Sequence, residues 1–185
     1  MADEKQILLD GVDIGKAVTR MAHEIVEKSG APGELVLIGI RSRGVHLARR
    51  LARKIQEMAK VSPSMGVLDV TPYRDDRGQV RELPTGGAFA PVVKVDDKTV
   101  VLIDDVIFRG RTIRAAMEAV ERLGQPKRIL VATLIDRGAR ELPIRADIVG
   151  KNIEAGDDKR VNVWLEEADG VDQVMIANWQ DRGVV

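Results

Sequence analysis

The chain has 185 residues, 44% of them hydrophobic, with 29 Lys and Arg against 29 Asp and Glu and no cysteine. That is enough apolar material for one real core, so a single domain spanning 1–185 is expected. The zero net charge excludes a whole-molecule pull on phosphates and leaves only local patches for nucleic acid; the missing cysteines exclude disulfides, thiol nucleophiles and Cys-based zinc sites.

The opening segment, MADEKQILLD, has no basic stretch, and nothing later nears the ~20 apolar residues of a membrane span. A soluble, cytoplasmic protein with no membrane partner is expected. From Asp13 to Ser29, Ile14, Val18, Met21 and Ile25 recur at helical spacing, with Gly30 as the stop. ELVLIGI (Glu34–Ile40) is a continuous apolar run, as in a strand covered on both faces. RSRG follows, then a second helical pattern from Val45 to about Ala59, and SMGVLDV (Ser64–Val70) reads as a strand. Between Tyr73 and Ala90 the chain turns polar and glycine-rich, predicting a long hairpin or mobile loop. TVVLI (Thr99–Ile103) is a strand, TIRAAMEAVERLG (Thr112–Gly124) a helix ended by glycine, and RILVATLI (Arg128–Ile135) a strand. Shorter apolar pieces stand at Ala146–Val149 and Val161–Leu165. Alternating strands and helices imply an α/β fold, a mostly parallel central sheet flanked by helices.

Three of these strands end in polar, glycine-containing loops: RSRG after Ile40, DDVIFRG after Ile103 and DRG after Ile135. In an open parallel sheet the carboxyl ends share one crevice, where ligands bind. The middle loop is the most informative. Asp104 and Asp105 are good acceptors for a vicinal diol, such as the 2- and 3-hydroxyls of a ribose. Val106 to Thr112 then lead into a helix N-terminus, whose free amides and dipole suit a phosphate. Gly110 permits close backbone approach, and Thr112 offers a hydroxyl as N-cap. A diol reader joined to a phosphate cradle fits a ribose 5-phosphate; the plainer alternative is an Asp pair that only caps a turn. A P-loop NTPase is excluded, because GVDIGKA at Gly11 has the wrong spacing and no hydroxyl. In a two-component receiver domain the Asp pair belongs near the start, whereas here it lies past the middle.

The stretch VLIDDVIFRGRT resembles the phosphoribosyl-pyrophosphate (PRPP) motif of type I phosphoribosyltransferases. TRMAHEIVE, IGIRSRGVHLARRLA, YRDD, IDRGARELPIRADIVGKNI and VNVWLEE, in that order, resemble the PyrR family, the pyrimidine-operon regulators with uracil phosphoribosyltransferase activity. The resemblance covers nearly the whole length, and it implies the type I phosphoribosyltransferase fold with a flexible β-hairpin lid at about 73–90. It implies conversion of uracil and PRPP into UMP and pyrophosphate, with magnesium carried mainly by PRPP rather than held by protein ligands. By the same resemblance Asp104 and Asp105 hold the ribose hydroxyls, and Val106, Ile107, Phe108, Arg109, Gly110, Arg111 and Thr112 hold the 5-phosphate. Ser42 and Arg43 are expected beside the pyrophosphate, Arg137 within reach of the ligand, and Val161 at the base pocket. Arg74 or Arg77 would approach the leaving group from the lid. One position departs from the pattern: Arg109 stands where the motif has a small hydroxyl residue, which removes a phosphate donor and makes catalytic efficiency the open property.

The family's second activity is UMP-dependent binding of pyrimidine-operon leader mRNA. On the first helix Lys16, Thr19, Arg20 and His23 share one stripe, opposite Ile14, Val18, Met21 and Ile25. Such a stripe suits RNA phosphates, 2′-hydroxyls and splayed bases. The resemblance favours Thr19, Arg20 and His23 as RNA contacts, extended by Arg145 and Lys151. With no net charge one footprint is small, so a homodimer or higher homo-oligomer is expected to join two patches. The alternatives are a metabolic phosphoribosyltransferase without RNA binding and a catalytically weak RNA regulator.

Overall fold

The structure, a computed structural model, describes residues 6–71, 93–156 and 158–178. The expected lid at 73–90, with Arg74 and Arg77, lies outside the described residues.

A short strand, β1 (Gln6–Leu9), precedes helix α1 (Gly11–Ser29). The helix starts two residues before the apolar periodicity does, because Asp10 and Asp13 form a capping box: Asp13 N–H donates to Asp10 Oδ1 at 2.9 Å, and Asp10 N–H to Asp13 Oδ2 at 3.5 Å. Gly30, at φ 73°, ends it. A 3₁₀ turn (Pro32–Glu34) leads into β2 (Leu35–Ile40), every residue of which is buried. Then come α2 (Arg43–Ala59), β3 (Ser64–Leu68), β4 (Thr99–Ile107), α3 (Arg111–Leu123), β5 (Arg128–Asp136) and β6 (Ile148–Asn152).

Five strands form one sheet in the order β3-β2-β4-β5-β6, all pairs parallel. Ile14, Met21, Ile25, Leu47, Leu51 and Ile55 of α1 and α2 cover one face, packing with Leu37, Val101, Ile103 and Leu134. On the other face Ile113, Ala116 and Val120 of α3 pack with Val36, Ile38, Val100, Leu102 and Val131. The expected α/β class is therefore found, as helices on both faces of a parallel sheet.

The expectation of one mostly parallel sheet is incomplete. β7 (Lys159–Trp164), α4 (Glu166–Asp169) and β8 (Gln173–Asn178) follow, and β1, β8 and β7 form a separate antiparallel sheet in that order. It is a hood of short strands. Each buries only one or two residues, Val161 and Val163, Val174 and Ala177, and Leu9, so its apolar signal in the sequence is thin. β7 touches β4, and Val161, Val163 and Leu165 join the core cluster that Val106 packs against. The hood thus stands beside the carboxyl end of the central strand. Among the described residues no helix is long and apolar enough to cross a membrane.

Candidate active site and the α1 face

The three polar loops follow β2, β4 and β5, which are adjacent in the sheet, so their ends open on one crevice. Asp104 and Asp105 are within β4, not after it: the ladder to β5 continues through Asp104↔Thr133, Val106↔Ile135 and Ile107↔Asp136. The inward–outward alternation slips by one residue at the acids. Val101 and Ile103 pack toward α1 and α2, and Val106 does too, while Val100, Leu102 and Ile107 pack toward α3. Asp104 is 7% exposed, and the Asp105 N–H donates to Asp104 Oδ1 at 3.0 Å. Burial pushes the Asp105 carboxyl above the ordinary range, opposed by hydrogen bonding to Asp104 and by the Arg43 charge. The pair is held charged only at a cost, a state that an incoming donor or cation relieves.

Because β4 runs to Ile107, the turn itself is short. Val106 and Ile107, expected in the phosphate loop, are strand residues, and Ile107 is in the α3-side core. Phe108, Arg109 and Gly110 make the turn. Gly110, at φ 90°, is the N-cap of α3 and carries no side-chain cap. Thr112 is therefore not the N-cap; it sits one residue inside the helix that begins at Arg111. The N-terminal amides of α3 have no capping side chain. Arg109 is 54% exposed and reaches away to Glu141, Nε to Oε1 at 3.1 Å, where Arg111 Nη2 also pairs at 2.7 Å. Its guanidinium lies 5.1 Å from the centre of the Phe108 ring. The substitution places a cation at the rim.

From β5, Arg137 is 4% exposed and its guanidinium lies 3.8 Å from the Phe108 ring centre, while Nη2 donates to the Gly156 carbonyl at 3.2 Å. From β2, close packing brings the loop in. A Cβ on Gly39 would come 2.6 Å from Val45 Cα, and one on Gly44 2.4 Å from the Ile103 carbonyl oxygen and 3.2 Å from Asp104 Cα. Only hydrogen at position 44 lets α2 start against the acid pair. The Arg41–Ser42 peptide is cis. Ser42 is the N-cap of α2, and Arg43, expected in a loop, is in its first turn. There Arg43 makes a bidentate pair with Asp169 of α4, Nε to Oδ2 at 3.0 Å and Nη2 to Oδ1 at 2.7 Å. The Val161 side chain is core, with its backbone laddered to Ile176.

The α1 stripe lines an open depression of about 620 Å³ formed by Gly15, Lys16, Thr19, Arg20 and His23. The Thr19 hydroxyl donates to Gly15 O at 3.0 Å, and Arg20 Nη2 donates to Val149 O at 3.0 Å and to Gly150 O. Lys151, next along β6, donates to Leu8 O at 3.3 Å, so it lies beside the Arg20 anchor. Arg145 is exposed, but its neighbours Ile144 and Ala146 pack on the α3 side, the opposite layer from α1. The contacts join Lys151 to the stripe and do not join Arg145.

The family model described as the phosphoribosyl transferase domain matches residues 5–169. A "Bifunctional protein PyrR" from Pelotomaculum thermopropionicum is 49% identical over 176 residues, 95% of this chain and 97% of its own. Another, from Chloroflexus aurantiacus, is 50% identical over 95% of this chain and 96% of its own. The chain belongs to the PyrR family. Hypoxanthine phosphoribosyltransferase from Trypanosoma cruzi, in complex with the product IMP, superposes with a TM-score of 0.73 over 96% of each chain, at 20% identity. The Staphylococcus aureus hypoxanthine enzyme gives 0.68 over 95% of this chain and 93% of its own, also at 20%. These two show the shared fold.

Two residues of this PyrR-family site escaped the sequence reading. Arg140 donates to Asp136 Oδ2 at 2.6 Å, to Phe108 O at 2.7 Å, to Gly138 O at 3.0 Å and to Ile144 O at 2.9 Å. It ties the turn after β4 to the loop after β5. Asp169 holds Arg43. The Arg140 bond to Phe108 O and the Asp169 pair with Arg43 join segments distant in sequence, and nothing in the local pattern marks either.

Proposed function

We propose that this PyrR-family protein joins uracil to the ribose of PRPP, releasing pyrophosphate, and that it binds pyrimidine-operon leader mRNA when UMP is bound. One observation carries the first part: an acid pair in the central strand, Asp104 buried and Asp105 partly exposed, runs within a few residues into an uncapped helix N-terminus, between the loops of the two neighbouring strands. In this reading Asp104 and Asp105 accept hydrogen bonds from the ribose hydroxyls. The amides from Gly110 through Thr112 hold the 5-phosphate, with Phe108, Arg109 and Arg111 at its rim. Ser42 and Arg43 face the diphosphate. Arg137, stacked on Phe108, fixes that ring beside the ligand, and the backbone near Val161 offers polar groups to the base.

The uracil nitrogen forms its bond to C1 of the ribose as the C1–oxygen bond to diphosphate breaks, and the nitrogen's proton is lost. Cationic character develops on the sugar and negative charge on the leaving group, so fixed position and fixed charge supply the acceleration. Magnesium fits this site: two adjacent carboxylates, one of them strained by burial, favour a nearby cation. Carried by the diphosphate and faced by Asp104 and Asp105, it would neutralise leaving-group charge.

For RNA, Thr19, Arg20 and His23 with Lys151 form the contact face, and Arg145 is a separate, peripheral contact. A homo-oligomer joins two such faces, and the protein works in the cytoplasm. The test has two arms: pyrophosphate release from uracil and PRPP, and a gel shift on a pyrimidine-operon leader with and without UMP. Both signals are expected. Arg20→Glu is expected to weaken the shifted complex about tenfold or more while UMP formation stays within twofold, the loss corresponding to a reversed phosphate contact. Equal loss of both would make Arg20 a structural residue.

A further inference from the structure

At its α4 end the hood is tied to α2 by charge as well as by packing. Arg50 pairs with Glu167, Nε to Oε1 at 2.8 Å, and with Asp172 through Nη1 and Nη2, both at 2.7 Å. Asp172 also accepts from Glu166 N–H at 2.8 Å, and Asp169 accepts from Leu165 N–H at 2.8 Å. α4 therefore keeps its place without Arg43. The Arg43–Asp169 pair adds little to that anchorage, yet it is bidentate, with side chains 32% and 19% exposed.

Arg43 differs from Arg50 in where it stands. It opens α2 one residue before Gly44, whose backbone lies against Ile103 and Asp104, and its charge is felt at Asp105. The guanidinium thus has two carboxylates in range, one bonded and one in the crevice. A doubly or triply charged diphosphate arriving beside the β2–α2 loop is a stronger partner than either. A guanidinium cannot keep both nitrogens on Asp169 and turn the same edge toward a phosphate.

We propose that Asp169 is a positioning residue that holds Arg43 away from the acid pair, and that Arg43 exchanges Asp169 for diphosphate when the leaving group or its precursor binds. This rests on the assignment of the crevice to PRPP and deepens it. The exchange makes Asp169 a competitor of diphosphate, so removing its charge tightens diphosphate binding, opposite to what loss of a scaffold residue does. It also ties occupancy of the diphosphate side to release of one of the hood's ion pairs with α2, while the Arg50 pairs stay.

The experiment is calorimetric titration of the full chain with magnesium pyrophosphate, and separately with UMP, on wild type, Asp169→Asn, Arg43→Gln and the double variant. Asparagine keeps an oxygen for Leu165 N–H. Asp169→Asn is expected to bind pyrophosphate two- to fivefold more tightly, the worth of a partly exposed ion pair, and to lower the KM for PRPP by a similar factor without raising kcat. Arg43→Gln is expected to bind pyrophosphate more weakly, and in the double variant the gain disappears. Should the asparagine variant fold poorly, Asp169→Ser, which also keeps an oxygen acceptor, is expected to give the same gain. Unchanged or weaker pyrophosphate binding in a folded Asp169 variant that still binds UMP overturns the inference alone. Absence of both UMP and pyrophosphate binding in the wild type overturns the reading of the crevice as well.

Discussion

The parallel core and the hood meet at the same crevice but are held by different physics. The core side is fixed by contact. β2 is buried throughout, Gly39 and Gly44 let backbone touch backbone, and Arg140 pins two loops through four acceptors. The hood shares the apolar cluster through Val161, Val163, Leu165 and Val174, but at its α4 end it is also joined to α2 by carboxylates and guanidiniums, Arg43 and Arg50 against Asp169, Glu167 and Asp172. Close packing is insensitive to salt and pH and gives one geometry. Half-exposed ion pairs are weak, screened and exchangeable. The ribose and phosphate, whose positions must be exact for bond exchange at C1, are assigned to the first kind of wall. In the proposed assignment the base and leaving group, which must enter and leave, border the second.

That contrast is best broken at Gly44. Gly44→Ala puts a Cβ into the Ile103 carbonyl and toward Asp104 Cα, both backbone. It should cost about 2–3 kcal/mol and weaken UMP binding more than tenfold, read by thermal melting and titration. Gly33→Ala, with nothing within 4 Å, should stay within about 0.5 kcal/mol. Next in size is Arg140→Gln, which strips charge from a pair with side chains 18% and 17% exposed and leaves carbonyls short of a donor. About 2 kcal/mol is expected, with UMP binding weakened because the Phe108 turn loosens. A melt unchanged from wild type would show that the two loops do not depend on that residue.

The smallest effect belongs to the hood. Hydrogen bonding to Arg50 lowers the Glu167 carboxyl from its usual 4.5 to about 2. A depressed carboxyl contributes stability that is complete above its unfolded value and lost as pH falls through its folded one. The contribution should therefore fade between about pH 4.5 and 2. Glu167→Gln should lose less than about 1 kcal/mol at neutral pH, given its exposure, and show a flatter acid limb by circular dichroism. An acid limb identical to wild type would mean that Arg50 does not anchor the hood through Glu167.

The same contrast explains what the sequence disclosed. Core strands announce themselves because burial on both faces demands unbroken apolar runs, as in LVLIGI, and the helices because one apolar stripe faces the sheet. The hood strands bury only one or two residues each, so β1 and β8 left no clear trace and β7 only a short one. The acid pair and Gly110 were legible as a motif. That β4 would run through the acids to Ile107 was not, since the polar residues mimic a strand end. Nor was the cap of α3 legible, because Thr112 is the better capping residue by type and yet Gly110 takes that place through its left-handed backbone. Arg140 and Asp169 were invisible for a different reason: the bonds that join loops or elements, to Phe108 and to Arg43, reach across the fold.

The acid pair is the part on which the rest depends, and UMP titration of the wild type, Asp104→Asn and Asp105→Asn tests it most directly. Saturable binding is expected for the wild type, weakened at least tenfold in either variant, since a charged acceptor of a ribose hydroxyl is lost. Asp105→Asn should also melt a few degrees higher near neutral pH, because it removes a carboxylate that burial strains. Equal UMP affinity in all three proteins would contradict the account.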